Sequence, residues 1–190
     1  MGLDGVEKFV ATPELQSEDS IDGDPLPPSQ VWALSPGGQD EGMGLYRVEV
    51  SEGPGAGVRI LNRSPPAPFR ESVRVAEQIL YARAGELVGG RNPREHEFTV
   101  QVRAYDAVKA AAQTGVPVLL ALTSALLAKP LRGEMAVVGG LNLGGAMELV
   151  HSPIDVVEHA LSKEASVVLM PVSARQRSWT CLATQPLGSR

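Results

Sequence analysis

The chain has 190 residues, 43% of them hydrophobic, so it is long enough for one domain with a sizeable core and too short for two full ones. Lys129 and Arg132 close its most apolar segment, so no run of eighteen uncharged apolar residues occurs. We therefore expect a soluble, cytoplasmic protein with no membrane partner. The single cysteine, Cys181, excludes an internal disulfide and any multi-cysteine metal site.

The first 42 residues differ in charge from the rest of the chain. The formal net charge is −5, but residues 1–42 hold nine acids against a single lysine, a balance of −8 that leaves +3 on the remainder. The motifs P-L-P-P (25–28) and S-P-G-G (35–38) favour extended or turn structure. We predict an acidic arm or linker over residues 1–42, a domain over 43–176 and a divergent tail over 177–190. As an alternative to a solvated linker, the arm docks on a neighbouring basic surface.

The sequence has few marks of a nucleotide, nucleic-acid or metal site. G-P-G-A-G (53–57) lacks the spacing and the lysine of a phosphate-binding loop, and it joins strands predicted at 45–50 and 58–61, which we expect to form a hairpin. Eight aromatic residues and a weak positive balance argue against an autonomous nucleic-acid-binding module. His151 and His159 lie eight apart across a helix start and need not share a face, so we predict no metal site.

The middle of the chain predicts two helices and one strand. Apolar residues recur at three and four over residues 70–88, which indicates an amphipathic helix, and residues 98–103 alternate as a strand. Residues 115–128 are apolar almost all round, as in a helix buried in the centre of a domain. This places Gln113 and Thr114 at the helix entrance, where free backbone amides and the helix dipole can hold an oxyanion.

The last third of the chain predicts strands and one more helix. Residues 135–138 and 146–150 are predicted strands, joined by the glycine-rich stretch 139–145. S-P-I-D opens a capped helix over residues 152–163. Residues 166–171 are continuously apolar, which predicts a short central strand.

The order of these elements resembles the Lon proteolytic domain over residues 99–171, without a gap. The resemblance implies an α+β fold of the ribosomal protein S5 domain 2-like type, with a mixed sheet and packed helices. K-A-A-A-Q-T-G (109–115) stands where the Lon family has its nucleophile motif, so Gln113 occupies the serine position. The family's catalytic lysine falls on Val156.

The resemblance therefore implies a site without the serine and the lysine of the Lon family. Serine-lysine proteolysis needs a hydroxyl and a lysine that burial keeps neutral, and losing one main member of a comparable machinery costs roughly 10⁶ in turnover. Substitutes would have to come from Thr114 and Lys109 at the helix entrance, or from Ser124 and Lys129 nearby in sequence. Ordinary structural roles are the default for all four.

Longer segments resemble the Lon-like proteins of BREX phage-defence systems. They are residues 137–148 and 167–176, with 24–28 and 43–50 similar to the lead-in of that family's domain. The resemblance implies a larger protein in which an AAA+ module precedes this domain, binds ATP and engages DNA. It also implies a ring-shaped homo-oligomer that restricts phage together with other BREX components.

Three functions remain open from the sequence. We expect a proteolytically inactive domain that serves oligomeric assembly or scaffolding of a phage-defence ATPase, with no cofactor of its own. The alternative is an ATP-dependent Lon-type serine/threonine endopeptidase domain with a displaced dyad. A third reading is an adaptor that binds a peptide near Gln113. Because the ATPase module lies outside these 190 residues, we expect a piece of a longer protein or a truncated gene product.

Overall fold

The computed structural model describes residues 20–21, 23–36, 42–106, 113–150 and 152–171. Six strands lie within them: β1 (Gln30–Pro36), β2 (Met43–Pro54), β3 (Gly57–Ile60), β4 (His96–Ala104), β5 (Met135–Val137) and β6 (Val167–Leu169). They form one sheet in the order β3-β4-β2-β1-β5-β6. The β1–β2 and β2–β4 pairs are antiparallel and the other three are parallel, so the sheet is mixed.

Helices cover both faces of this sheet. They are α1 (Ala67–Ala82), α2 (Ala84–Leu87), α3 (Gly115–Leu127) and α4 (Pro153–Ser162), with a 3-10 turn at Pro93–Glu95. Alternate residues of β1 point to opposite faces and separate two cores. Val31 and Ala33 join the larger core, which includes residues of α1 and α3. Trp32 and Leu34 join a smaller core with residues of α4.

Helix α3 is buried as the sequence predicts. Nine of its thirteen residues are buried, and it ends at Ala128, which has a left-handed φ of 50°. Pro117 stands at its third position, where no intrahelical partner is lost. Leu122 and Leu126 are fully buried, and burial of each contributes about 1.5–3 kcal/mol to folding. The helix predicted over residues 115–128 is confirmed to within one residue.

The helix predicted over residues 70–88 is confirmed but divided. Its buried face includes Val73 and Leu80 on α1, and the helix breaks at Arg83, where φ is −117° and ψ is 27°. A short second helix, α2, then contains Gly85, a residue with weak helix propensity. The division therefore falls two residues before this glycine.

The domain starts earlier in the chain than the sequence predicts. Part of the expected arm, residues 1–42, forms β1, which pairs with seven residues of β2 and also pairs with β5. Ile21 is 2% exposed and its N–H donates to the Lys163 carbonyl at 2.8 Å. The short apolar run of β1 lies between proline-rich and acidic stretches. The sequence pattern did not identify it as a strand, because its burial depends on strands far away in sequence. Residues 1–19 and the predicted tail 177–190 lie outside the described residues.

The predicted hairpin is wrong, although both of its strands form. Strand β4 lies between β2 and β3, antiparallel to β2 and parallel to β3. The chain reaches β4 from β3 by way of α1, and a parallel pair requires a crossover of this kind. Two residues of the predicted turn, Gly55 and Gly57, have φ values of 144° and 93°, which glycine tolerates best.

The glycine-rich segment after β5 folds as a loop. The strand predicted at 146–150 is wrong, since the segment forms only an isolated bridge between Leu141 and Met147 among the described residues. The Glu148 N–H donates to the Gly140 carbonyl at 2.9 Å, and the Glu148 carboxylate lies over the same glycine. Any side chain at position 140 would collide with that carboxylate.

The strand predicted over residues 166–171 forms as β6, but it is not central. It pairs with β5 at the edge of the sheet as described, and Leu169 is 44% exposed. Its continuous apolar run therefore does not reflect burial on both faces.

Three further predicted elements are confirmed with shifted ends. The strand at 98–103 is β4, the strand at 135–138 is β5 and the helix at 152–163 is α4. Ser152 stands at the N-cap of α4 but makes no side-chain capping hydrogen bond, so the predicted box with Asp155 does not form.

On the face of the sheet that α4 packs against, the part that α4 does not cover is polar. The Arg47 guanidinium lies 5.4 Å from the Trp32 ring centroid and 5.2 Å from that of Tyr105, and its Nε is 2.7 Å from the Glu49 carboxylate. The two rings meet edge to face at 4.9 Å. This arginine therefore borders the smaller core where the polar surface begins.

The described residues thus form a mixed sheet with packed helices, which is compatible with the α+β class. No helix among them is long and apolar enough to cross a membrane.

Substitution of Gly133 by alanine tests whether residues 23–25 belong to the folded unit. The new Cβ would lie 2.5 Å from the Gly23 carbonyl oxygen and 2.9 Å from Pro25 N, both backbone atoms that cannot swing away. We expect a loss of about 1–3 kcal/mol in the free energy of unfolding, measured by urea denaturation, because overpacking costs this much. The control is Gly85→Ala, whose Cβ meets no atom within 4 Å and which we expect to be neutral or slightly stabilising. Equal stability of the two variants would contradict the contact.

Candidate functional site

The entrance of α3 is the place where the resemblance puts a nucleophile. Gln113 is half-buried with φ of 52°, and Thr114 follows at the N-cap, fully buried, with its hydroxyl making no capping hydrogen bond. An amide offers no nucleophile, and a buried hydroxyl is closed to a polypeptide substrate. Lys109, the other fallback residue, lies outside the described residues.

The backbone donors expected at this entrance are largely used. The Val116 N–H donates to the Gly139 carbonyl at 3.0 Å, and Pro117 has no N–H. A Cβ on Gly115 would lie 2.9 Å from the Leu141 amide nitrogen, so the loop after β5 packs directly on the first turn of the helix. Two of the first three helical positions therefore have no amide left for an oxyanion.

The position on which the catalytic lysine of the Lon family would fall lies in a hydrophobic core. Val156, in the first turn of α4, is 0% exposed and belongs to the smaller core with Trp32, Leu34 and Val138. An ammonium group here would lose its hydration without gaining a partner from these apolar neighbours. The position therefore serves packing of α4 on the sheet.

The other two candidates for a displaced dyad, Ser124 and Lys129, take part in a backbone contact at the end of α3. The Ser124 hydroxyl donates to the Lys129 carbonyl at 2.5 Å and accepts from the Ser29 N–H at 2.9 Å. Ser124 lies near the other end of α3, eleven residues and roughly 16 Å along the helix axis from Gln113. Ser124 therefore fastens the segment before β1 to the end of α3, and it does not meet the helix entrance.

A polar cluster that the sequence reasoning missed lies at the end of β4. Asp106 accepts a hydrogen bond from the Leu45 N–H at 2.7 Å and lies 3.1 Å from His159 Nε2 through its Oδ2. Its Oδ1 lies 2.6 Å from Lys163 Nζ. The side chains of Asp106 and Lys163 are 17% and 16% exposed. We call Asp106, His159 and Lys163 the Asp106 cluster.

The electrostatics of the Asp106 cluster favour the charged carboxylate. Burial raises the pKa of Asp106, but the hydrogen bonds from Lys163, the Leu45 N–H and His159, together with the Lys163 charge, outweigh it and hold the pKa below its ordinary value. The sequence did contain a signal, because His159 and Lys163 are four residues apart and so share one face of the predicted helix. What it lacked was the pairing that brings α4 to the end of β4.

The contacts of the Asp106 cluster are those of a structural fastening. A carboxylate that orients a histidine occurs in hydrolases, but there the histidine meets a nucleophile. Here both His159 Nε2 and the Lys163 ammonium face the carboxylate. Among the described residues no group of three or more His, Cys, Asp or Glu side chains could hold a metal ion. His151 lies outside that part of the chain.

Comparison with known proteins gives two related sequences. The chain is 27% identical over 170 residues to the "Lon-like protease BrxL" of Escherichia coli O9:H4 (strain HS), covering 88% of this chain and 24% of the relative. It is 23% identical over 168 residues to the "Lon-like protease BrxL" of Bacillus cereus (strain H3081.97), covering 87% and 25%. The chain thus spans about a quarter of the length of the curated relatives it matches. No protein-family model matches it.

Replacement of Asp106 by asparagine tests the fastening and its pH dependence. We expect a loss of about 1–3 kcal/mol in the free energy of unfolding at about pH 7, because Lys163 stays largely buried without its counter-charge. The folded-state pKa lies below the ordinary 3.8, so the stabilisation is fully present well above pH 3.8 and is lost as the pH falls below that value and through the folded-state pKa. Urea denaturation from about pH 7 to about pH 3 should show the two proteins converging.

The matched control for this variant is Glu158→Gln, an exposed acid of the same helix. We expect it to change stability by less than about 0.5 kcal/mol at every pH. A constant difference between wild type and Asp106→Asn down to about pH 3 would contradict the role of the ionised carboxylate.

Proposed function

We propose that this chain is a Lon-like domain without peptidase activity, which serves oligomeric assembly in a larger BREX phage-defence ATPase. The observation that carries the proposal is the state of the two positions on which the Lon nucleophile and base would fall. Gln113 has no hydroxyl, and Val156 is fully buried among apolar side chains. The similarity to two Lon-like proteases named BrxL, over 87–88% of the chain, supports the family assignment.

The fold gives further support to a Lon-like domain of the ribosomal protein S5 domain 2-like type. In the mixed sheet and its helices, β4 and the buried helix α3 occur in the order that the resemblance implies. The helix entrance, the loop that packs on it and the helix that bears Val156 are all formed around the two positions assigned to the dyad. A domain that keeps this framework without its reactive groups fits a binding or assembly role.

The competing function is an ATP-dependent serine/threonine endopeptidase with a displaced dyad; both relatives are named Lon-like proteases. It would need Thr114 as the nucleophile and Lys109 as the base. Thr114 is fully buried, which speaks against this role. The adaptor reading needs a cleft near Gln113, and the packing of Leu141 on Gly115 leaves little room there.

Partners and cofactors are proposed for the part of the protein that lies outside the matched region. About three quarters of each relative lies outside the matched region, so we propose that the remaining part carries the AAA+ module, binds ATP and contacts DNA. The proposed protein is a cytoplasmic homo-oligomer that works with other BREX components. This chain itself would need no cofactor.

A peptidase assay tests the lost chemistry. We expect the purified chain to leave casein and fluorogenic peptides uncut, roughly 10⁴-fold or more below an active Lon-type protease measured beside it, because both members of the dyad are replaced. The variants Thr114→Ala and Lys109→Ala should not differ from the wild type. Cleavage that either variant abolishes would establish the displaced dyad and end the non-proteolytic proposal.

The assembly role is tested by joining this domain to its ATPase portion. We expect the joined protein to form a larger, more uniform oligomer in mass photometry than the ATPase portion alone, since the domain supplies contacts between subunits. Asp106→Asn in the joined protein serves as a folding control, because it weakens this domain through a largely buried cluster. A ring of unchanged mass and uniformity after removal of the domain would refute the scaffold role.

A further inference from the structure

Helix α4 exposes apolar side chains on the side that faces away from the sheet. Ile154 is 67% exposed and Leu161 is 57% exposed. The two residues are seven apart, which is about two helical turns, so they lie on one face of the helix. Val156 and Ala160, on the other side of α4, are fully buried in the smaller core. We call four exposed residues the outer face of α4: Ile154, Asp155, Glu158 and Leu161.

The acidic residues of the outer face have no basic partner on the same helix. Asp155 and Glu158 are three residues apart and both are exposed, and α4 contains neither lysine nor arginine. Lys163, directly after the helix, has its ammonium 2.6 Å from the Asp106 carboxylate and belongs to the Asp106 cluster. The outer face of α4 is therefore apolar along one side and negative along the other.

The chain that follows β6 has the complementary composition. Residues 172–190 lie outside the described part, and we call them the C-terminal segment. They contain no aspartate or glutamate. Their charged side chains are three arginines, at positions 175, 177 and 190, and their large apolar side chains are Trp179, Leu182 and Leu187. A positively charged segment with large apolar residues fits a surface that is apolar and negative.

The C-terminal segment begins at the end of the sheet where α4 begins. Strands β5 and β6 are parallel, so α4 returns the chain from the carboxyl end of β5 to the amino end of β6. The first turn of α4 therefore lies towards the carboxyl end of β6, which Pro171 follows. Nineteen residues reach roughly 60 Å when fully extended, and α4 is roughly 15 Å long. The segment can thus reach every part of the outer face.

Two other occupants from this protein are opposed by charge. Residues 1–19 hold five acids against Lys8, so they would be repelled by Asp155 and Glu158. A second outer face of α4 would bring the same two carboxylates against their copies. The C-terminal segment avoids both conflicts.

We propose that the C-terminal segment docks on the outer face of α4 of the same molecule. Its arginines pair with Asp155 and Glu158, and its apolar side chains cover Ile154 and Leu161. Because the segment is tethered, docking is intramolecular, and contacts that are weak between separate molecules are enough to hold it. The ion pairs are exposed, so docking weakens as salt screens them. This contact goes beyond the proposed assembly function and does not depend on it.

The reactivity of Cys181 in the full chain tests the docking. Cys181 is the only cysteine, so alkylation by the neutral reagent iodoacetamide reports on the C-terminal segment alone. Asp155→Lys combined with Glu158→Lys should speed alkylation about fivefold, because two attractions become repulsions. Arg175→Glu combined with Arg177→Glu should have the same effect. Salt at about 0.5 M should speed alkylation of the wild type in the same direction.

Joining the two pairs of changes gives the decisive result. The fourfold variant restores opposite charges across the contact, so its alkylation rate should return to within about twofold of the wild type. The matched control is Glu71→Lys with Glu86→Lys, which changes the net charge by the same amount at two exposed acids outside the outer face. This control should react like the wild type. Thermal melts verify that every variant folds.

Three outcomes would overturn the proposal. Faster alkylation after the arginine changes, but not after the changes on α4, would mean that the segment docks elsewhere. A fourfold variant that still reacts about fivefold faster than the wild type would show that the two sets of charges do not meet. Wild-type Cys181 that reacts as fast as the same cysteine in a synthetic peptide of residues 172–190 would show that the segment does not dock.

Discussion

Burial of β1 on both faces is the constraint on which the rest of the structure depends. Val31 and Ala33 face the larger core with α3, and Trp32 and Leu34 face the smaller core with α4. A strand covered on both sides requires an apolar stripe on each covering helix. Position 156 belongs to the apolar stripe of α4. Valine therefore stands at the position where the resemblance puts a lysine. Keeping a charged base there would require a polar partner beside the apolar members of this core.

Local sequence pattern was enough to locate most helices and strands. The all-round apolar run of α3 and the alternation of β4 are strong signals, because each depends only on neighbouring residues. Pairing could not be predicted in the same way. Strand β1 is recognisable only once β2 and β5 flank it, and β3 pairs with β4 across the whole of α1. The predicted strand at 146–150 failed for a more local reason, because Glu148 folds back onto Gly140 within the same loop.

The candidate site was likewise predictable only in part. Residue types at Gln113 and Val156 already argued against proteolysis, and their structural setting strengthens that argument through burial. The Asp106 cluster was not predicted, because its three members come from the end of one strand and one face of a distant helix. The sequence shows only the four-residue spacing that places His159 and Lys163 on one helix face. It does not show that Asp106 lies beside them.

The path of residues 20–36 has a mechanical consequence. This segment is held by the Ile21 N–H at the Lys163 carbonyl, by Ser29 at Ser124 and then by the ladder between β1 and β2. A pull along the chain before residue 20 would load the hydrogen bonds of Ile21 and Ser29 first, and the ladder between β1 and β2 only after them. A force applied there would therefore be carried into the middle of the sheet, which both cores share.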